Sequence, residues 1–195
     1  MEELERLRRD AADCRACPLW QTGTQTVFGE GAASAQVVFV GEQPGDQEDK
    51  QGRPFVGPAG RVLDEAFELA GIDRSTTYVT NAVKHFKWTA RGKRRIHAKP
   101  SWSEIAACHP WLQSELEAIE PTVVVCLGAT AAQSLLGKSF RVTKQRGEAI
   151  ASAPLADWIV ATIHPSAILR SRDDGSRHAE REAFVADLKV VARLL

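Results

Sequence analysis

Four short apolar segments, each followed by a segment with helical signals, constrain the fold more than any other feature of this sequence. The apolar segments are 36–41, 77–83, 122–127 and 158–163. Each has the length of a β-strand and is apolar almost throughout, which is typical of a strand buried on both faces. Apolar residues at helical spacing, or a capping signal, follow at 58–70, 101–120, 130–136 and 178–195. This alternation predicts an α/β fold with a central four-stranded, mostly parallel sheet flanked by helices.

The remaining segments carry weaker signals. A short helix is expected over 2–13, where apolar residues recur at helical spacing. The density of Gly and Pro in 42–57 predicts a long loop without regular structure. A second loop is expected between the second strand and the helix that begins near 101, and the stretch 137–150 is ambiguous.

Length and composition indicate an ordinary globular protein. A chain of 195 residues suggests one domain over 1–195, with a core that needs no disulfide to hold it. No apolar run approaches the roughly 18–20 residues of a membrane span, and the charged N-terminus does not resemble a signal region. We therefore expect a cytoplasmic protein whose four cysteines are not paired in structural disulfides.

Polar and aromatic candidates follow three of the predicted strands. The carboxyl ends of parallel strands meet at one edge of a sheet, which places GEQPG, NAVKH and IHPS on one rim. Glu42 is a candidate base or orienting carboxylate, and Phe55 is either a stacking surface or a core residue. Asn81 offers a donor and an acceptor side by side, as recognition of a base edge requires, or it forms a turn. His164 is a candidate because it ends the fourth strand, although a lone histidine is more often structural.

Positive charge is concentrated in one stretch of an otherwise neutral chain. The sequence holds 25 basic and 25 acidic side chains, but residues 84–99 contain seven cations and no acid. The cations of this basic segment are Lys84, Lys87, Arg91, Lys93, Arg94, Arg95 and Lys99. Interleaved Phe86 and Trp88 favour contact with nucleic-acid phosphates over a merely solvated face.

The four cysteines suggest a metal centre. Cys14 and Cys17 form C-x2-C, a spacing that lets two thiolates bind one metal centre, and Cys108 and Cys126 complete a set of four. The alternative is that Cys108 and Cys126 are buried core thiols, which is common for a cysteine in a segment such as TVVVCL. Zinc and an iron–sulfur cluster are not separable from this spacing.

Taken in order, these motifs resemble the uracil-DNA glycosylase superfamily. The order is C-x2-C, then GE-x-PG-x-x-ED-x-x-G-x-PFVG-x-AG, then N-x-V-K, the second cysteine pair and HPS. It covers nearly the whole chain and is similar to the iron–sulfur family 4 enzymes. Two features resemble instead the UdgX class, namely Gln43 within GEQPG and the insertion KRRIH at 93–97, which ordinary family 4 members lack.

The resemblance implies a three-layer uracil-DNA glycosylase fold with a structural [4Fe–4S] cluster held by the four cysteines. It implies uracil-containing DNA as the partner, with single strands preferred, and we expect a monomer with no membrane contact. Phe55 would stack on uracil, and Asn81 would read its Watson–Crick edge and reject cytosine. The backbone around Gly41 and Gln43 would complete the pocket. His164 would donate a hydrogen bond to the departing uracil anion.

The resemblance also implies what happens to the sugar. UdgX-type proteins are understood to stay covalently bound to the abasic DNA through the histidine of this insertion, here His97, and we expect the same. Neighbouring cations would keep that imidazole neutral, and Glu42 would stabilise the imidazolium that forms. The expected phosphate contacts are Lys84, Lys93, Arg94 and Arg95 in the basic segment and Ser166 and Arg170 after HPS.

Two alternatives stay open at this point. In the first, Glu42 activates water, His97 only touches phosphate, and the protein is a multiple-turnover glycosylase. In the second, the chain is a non-catalytic zinc-bearing module that binds DNA.

The cysteine set leads to a direct test of the cofactor. We expect the purified protein to be brown and to contain iron, because the resemblance implies a [4Fe–4S] cluster. Elemental analysis checks this, and Cys126→Ser should cost solubility before specificity, because metal binding and folding are coupled. Zinc without iron in the purified protein would contradict the expectation.

Overall fold

The computed structural model describes residues 2–152 and 154–195, which form eight strands and eight α-helices. The strands are β1 (Glu30–Gly31), β2 (Val37–Gly41), β3 (Thr77–Asn81), β4 (Trp88–Arg91), β5 (Arg94–His97), β6 (Val123–Leu127), β7 (Ala149–Ser152) and β8 (Ala156–Thr162). The helices are α1 (Glu2–Ala12), α2 (Asp46–Gln51), α3 (Pro58–Ala70), α4 (Trp102–Ile119), α5 (Ala129–Leu136), α6 (Val142–Gln145), α7 (Pro165–Leu169) and α8 (Asp174–Ala192).

A six-stranded sheet in the order β1-β3-β2-β6-β8-β7 forms the centre of the structure. Its four inner strands, β3, β2, β6 and β8, are mutually parallel, which confirms the four predicted strands and their mostly parallel arrangement. The two edge strands are antiparallel to their neighbours and were not predicted. β1 is only two residues long, and β7 begins at the end of the ambiguous stretch 137–150.

Helices cover both faces of the sheet, as the α/β prediction requires. On one face, Leu112 of α4 and Ala131 of α5 pack against Val38 and Val124. On the other face, Phe67 of α3 and Leu188 of α8 belong to the cluster of alternate residues from the same strands, such as Phe39 and Val125. The strands are therefore apolar on both faces because both faces are buried between helix layers.

Local signals set the helix ends where the sequence predicts them. Ser101 and Glu104 form a reciprocal capping box at the start of α4. Pro58 occupies the first turn of α3, and Gly71 ends that helix in the left-handed conformation with φ 76°. These signals explain why the predicted bounds of α3 and α4 agree with the structure to within one residue.

Two connections differ from the sequence prediction. The loop expected over 42–57 contains α2, because its glycines flank a helix-forming run, with Gly52 ending the helix at φ 70°. The basic segment, expected as a loop, forms the antiparallel hairpin β4–β5 with Gly92 at φ 59° in its two-residue turn. In both segments the glycines lie at the ends of a helix or in the turn of a hairpin.

No helix within the described residues is both long and apolar enough to cross a membrane.

Candidate functional site

The carboxyl ends of the inner strands bring the predicted rim residues together. Gly41 pairs with Asn81 in the parallel ladder of β2 and β3. Backbone bonds continue beyond the strands, from Ala82 N to Gly41 O at 2.9 Å and from Val83 N to Glu42 O at 3.0 Å. The loops that follow β2 and β3 are therefore fixed relative to each other.

A narrow pocket floor forms where Gly41, Asn81 and Phe55 meet. A Cβ atom on Gly41 would collide with the Asn81 side-chain oxygen and lie 2.8 Å from Phe55 Cζ, so only glycine fits here. Phe55 adopts φ 56°, a strained conformation for a residue with a side chain. Its ring lies 6.2 Å from the His164 ring at an interplanar angle of 24°. The structure thus groups three predicted pocket residues and His164 at one end of the sheet.

His164 is held as a neutral imidazole with a defined tautomer. Its Nδ1 accepts a hydrogen bond from the Ser166 backbone N–H at 3.1 Å, which places the ring proton on Nε2. Burial lowers the pKa of His164 to about 4, although the Glu42 carboxylate acts in the opposite direction. The ring is therefore neutral at pH 7 and can donate a hydrogen bond through Nε2. Arg170 Nη1 donates to Ser166 Oγ at 3.0 Å, so the two residues expected to contact phosphate lie side by side.

Both oxygens of the Glu42 carboxylate have partners. His97 Nε2 lies 3.2 Å from Glu42 Oε1, and Thr130 Oγ1 donates a hydrogen bond to Oε2. Burial acts to raise the pKa of Glu42, but the hydrogen bonds from His97 and Thr130 outweigh it and the pKa is lowered. The carboxylate is therefore ionised at neutral pH. Sequence reasoning missed Thr130, because a threonine in the first turn of an ordinary helix carries no signal of its own.

Gln43 attaches the hairpin β4–β5 to the site. Its side-chain Nε2 donates to Lys87 O and to Ala98 O, each at 3.1 Å, and its Oε1 accepts from Lys87 N at 3.0 Å. One buried amide therefore joins the two chains at the open end of the hairpin. This arrangement explains how His97, at the end of β5, reaches Glu42.

Arg95 has a structural role that the sequence did not reveal. Its Nε bonds Asp46 Oδ1 at 2.6 Å and its Nη1 bonds Asp49 Oδ2 at 2.7 Å. The guanidinium also lies over the Phe86 and Trp88 rings at 5.4 Å and 5.6 Å. Arg95 was expected to contact phosphate, but in this structure its donors hold the hairpin against α2. Lys93 and Arg94, the other two hairpin cations that were expected to contact phosphate, are exposed.

Lys84, which was also expected to contact DNA, is buried in this structure. Its side chain is 1% exposed and forms an ion pair with Glu115, which is fully buried. A lysine in a basic segment is usually solvated, but this one follows the buried strand β3 and turns into the core.

Three of the four predicted metal ligands lie near one another. Cys17 and Cys108 share one apolar cluster, and burial raises their pKa values, with that of Cys108 reaching about 11. Cys14 accepts a hydrogen bond from Trp111 Nε1 at 3.2 Å and adds to the rise in the Cys17 pKa. Cys126 is fully buried in a different cluster, on β6. Among residues 2–152 and 154–195, no three cysteine, histidine or acidic side chains are grouped so that they could hold a metal ion. The four thiols therefore do not fit a ready-made ligand set as they stand.

The chain is similar to known proteins over most of its length. The family model described as Uracil DNA glycosylase superfamily matches residues 28–189. A Type-4 uracil-DNA glycosylase of Thermotoga maritima is 40% identical over 182 residues, which is 90% of this chain and 88% of that protein. Relatives with the same name from Sulfurisphaera tokodaii and Archaeoglobus fulgidus are 37% and 35% identical. The alignments cover 87% and 100% of this chain and 77% and 94% of those relatives, respectively.

The contact between Thr130 and Glu42 predicts a measurable pKa change. Thr130→Val keeps the shape of the side chain but removes the hydroxyl donor, so the pKa of Glu42 should rise. Carbon-13 NMR titration of the labelled carboxyl group measures this directly. Thr130→Ser, which keeps the hydroxyl, is the matched control and should restore the low pKa. An unchanged titration in Thr130→Val would mean that the hydroxyl does not stabilise the carboxylate.

Proposed function

The chain belongs to the uracil-DNA glycosylase superfamily, and on that premise we propose that it excises uracil from DNA. The observation that carries the proposal is that Asn81 and Phe55 lie against Gly41, with the His164 ring 6.2 Å from that of Phe55. A flat ring, a side-chain amide and a neutral N–H donor are what recognition and release of a pyrimidine require. The Type-4 names of the relatives support the same activity.

The pocket is proposed to bind one base that has left the stack. A base inside a duplex cannot reach such a pocket, so the nucleotide is flipped out or already unpaired. Single-stranded DNA avoids the cost of unpairing, and we propose it as the preferred substrate. The base would stack on Phe55, while the Asn81 amide pairs with its Watson–Crick edge and leaves the amino group of cytosine unmatched.

Cleavage is proposed to proceed by departure of the base with the bonding electrons. The uracil leaves as an anion, and His164 Nε2–H donates a hydrogen bond to its developing oxyanion. The sugar becomes a cation at C1′, which the ionised Glu42 carboxylate stabilises. The neutral state of His164 suits this role, because the ring keeps its proton and still polarises the leaving group.

We propose two candidates for the fate of the sugar, and the relatives favour the first. In multiple turnover, water attacks C1′ and Glu42 accepts a proton from it, which gives an abasic site and frees the protein. The Type-4 names of the relatives support this route.

The second candidate is capture of the sugar by His97. The specific observation that favours it is the 3.2 Å contact between His97 Nε2 and Glu42 Oε1. With Thr130 on the other carboxylate oxygen, an imidazole occupies the place where a water molecule would be activated. A ring nitrogen would then bond C1′, the ring would become an imidazolium, and Glu42 would stabilise its charge. Covalent capture is the more specific of the two candidates, and it would give the histidine of the insertion KRRIH a chemical role.

The cofactor is proposed to have a structural role only. Although the four thiols are not gathered into one ligand set in this structure, the resemblance of the cysteine pattern to the iron–sulfur family 4 enzymes supports a cluster. We propose that Cys14, Cys17 and Cys108, which already lie near one another, gather with Cys126 around a [4Fe–4S] cluster that ties the N-terminal segment to α4. No step of base excision requires electron transfer, so none of the steps above involves the cluster.

The fate of the sugar can be read from the number of uracils released per protein. The protein is mixed with an excess of a single-stranded uracil oligonucleotide, and free uracil and denaturing gels are followed together. Multiple turnover gives many uracils per protein and no retarded band. Capture gives about one uracil per protein and a band that survives boiling in detergent. No uracil release at all would contradict the proposed function.

His97 variants decide whether a retarded band arises from this residue. His97→Ala should remove the band while DNA binding persists, since the exposed cations remain. Peptide mapping should place the sugar on His97 in the unaltered protein. A sugar found on Lys93 or Lys99 would contradict capture by histidine and indicate Schiff-base chemistry instead. Oligonucleotides with thymine in place of uracil serve as the control.

The exposed hairpin cations predict a salt effect. Lys93→Ala and Arg94→Ala should each weaken DNA binding across all sequences and lower the salt slope by roughly 1, because each removes one phosphate contact. Binding titrations at several salt concentrations measure the slope. Lys189→Ala, an exposed lysine in the last turn of α8, is the control and should leave the slope unchanged. Unchanged slopes for both hairpin variants would show that the hairpin does not face the DNA backbone.

A further inference from the structure

The buried Lys84 ammonium is bonded to the backbone of the residue that is proposed to read the base. Its Nζ donates to Asn81 O at 2.8 Å, to Thr80 Oγ1 at 2.7 Å and to Glu115 Oε2 at 2.5 Å. These three bonds use all three N–H donors of the ammonium group. The lysine therefore has no free donor for a ligand and acts only on its protein neighbours.

Glu115 holds this lysine in place through a saturated hydrogen-bond network. Its Oε1 accepts from Gly29 N at 3.0 Å and from Tyr78 OH at 2.9 Å, and Thr80 Oγ1 lies 3.0 Å from each carboxylate oxygen. A side chain at Gly29 would collide with both Tyr78 and Glu115, so glycine permits the close approach of the backbone. Burial raises the pKa of Tyr78, as does the adjacent carboxylate, so the phenol stays a donor.

The buried Lys84–Glu115 ion pair is not expected to contribute much net stability. Desolvating two charges offsets most of their attraction, and apolar residues of the same volume are often at least as stabilising. A charged pair with every hydrogen bond satisfied does fix geometry, however, because each partner is bound in several directions. What the Lys84–Glu115 pair fixes is the end of β3.

Asn81 depends on its backbone for its position. Its side chain lies against Gly41 and Phe55. Within residues 2–152 and 154–195, no hydrogen bond holds its side-chain amide, which is left for a ligand. The main-chain carbonyl, in contrast, is bonded to Lys84. The 81–82 peptide is therefore held on both sides, by Ala82 N–H to Gly41 O and by the Lys84 ammonium to Asn81 O, and the lysine fixes its carbonyl side.

We infer that Lys84, neutralised by Glu115, is a positioning residue that sets base recognition through Asn81. The inference rests on the proposed function only in taking uracil as the base that Asn81 reads. Without the lysine, the 81–82 peptide loses its fixed acceptor bond and the amide shifts relative to Phe55. Displacements of about 1 Å can cost about 100-fold in rate when a reacting group must be aligned.

The test needs a variant that folds without the ammonium. Lys84→Met alone leaves the Glu115 carboxylate buried without its counter-ion, and misfolding would confuse the result. The double variant Lys84→Met with Glu115→Gln removes both charges and keeps an acceptor for Gly29 N–H and Tyr78 O–H. The glutamine amide can also donate to Thr80 Oγ1, but Asn81 O has lost its donor. Tyr78→Phe is the matched control, because it removes one bond to Glu115 and leaves the Lys84–Asn81 bond intact.

The decisive measurement is a mutant cycle, in which the Lys84→Met/Glu115→Gln change is made both in the unaltered protein and in Asn81→Ala. Uracil release is followed with enzyme in excess over DNA, so the rate of one excision event is measured whatever happens to the sugar. We expect the double variant to lose roughly 10- to 100-fold in this rate, and Tyr78→Phe to lose less than about threefold. In the Asn81→Ala background the same double change should have less than about a threefold effect, because the residue it positions is gone. Equal losses in both backgrounds would overturn the inference and assign Lys84 to stability alone.

An NMR measurement keeps the inference separate from the proposed function. The Asn81 side-chain amide signal is identified by its loss in Asn81→Ala. It should shift or broaden in the double variant and stay in place in Tyr78→Phe. An unchanged signal in the double variant would overturn the positioning role even if uracil is released. If the unaltered protein releases no uracil, the proposed function fails, and this signal still decides whether Lys84 holds Asn81.

Discussion

The hydrogen bonds that join β2 to β3 continue past the ends of both strands, and the arrangement of the site depends on them. They place Gly41 beside Asn81 and then bind Ala82 and Val83 to the backbone that leads into Glu42. Parallel strands normally diverge into independent loops at their carboxyl ends, where ligands bind. Here the two loops begin as one hydrogen-bonded unit. The Asn81 amide and the Glu42 carboxylate are consequently held in fixed positions relative to each other.

Positive charge is divided between two physical roles. The chain is neutral overall, yet its basic segment contains cations in opposite environments. Lys84 and Arg95 bond buried or half-buried carboxylates, and removing one partner of a buried pair costs about 3–5 kcal/mol. Lys93 and Arg94 are exposed, where an ion pair contributes about 0–1 kcal/mol, so they are free to exchange counter-ions for phosphate. The segment is therefore a rigid hairpin with a charged tip rather than a uniformly basic loop.

The sequence predicts the central sheet and its helices because hydrophobic period and capping signals are local. It also predicts that Glu42, Asn81 and His164 share a rim, since strand ends in a parallel sheet must meet. What it misses depends on partners that are distant in the chain. Arg95 reaches Asp46 and Asp49, and charge density alone cannot distinguish a cation that binds phosphate from one that binds a carboxylate across the fold. Thr130 and Glu115 were missed for the same reason, because each becomes meaningful only beside a residue from another element.

The contact between His97 and Glu42 shows how one carboxylate can serve two chemistries. A carboxylate that stabilises a sugar cation needs only a nucleophile beside it, and either water or an imidazole can fill that position. A tethered group that is well oriented reaches an effective concentration of roughly 10⁵ M or more, far above that of liquid water. That advantage exists only while the tether is rigid, because a mobile hairpin would spread the imidazole over many positions. Gln43 at the open end of the hairpin and Arg95 against α2 supply that rigidity. In the proposed function turnover and capture share the Glu42 carboxylate, so the difference between the two routes would lie in the contacts that hold the hairpin over it.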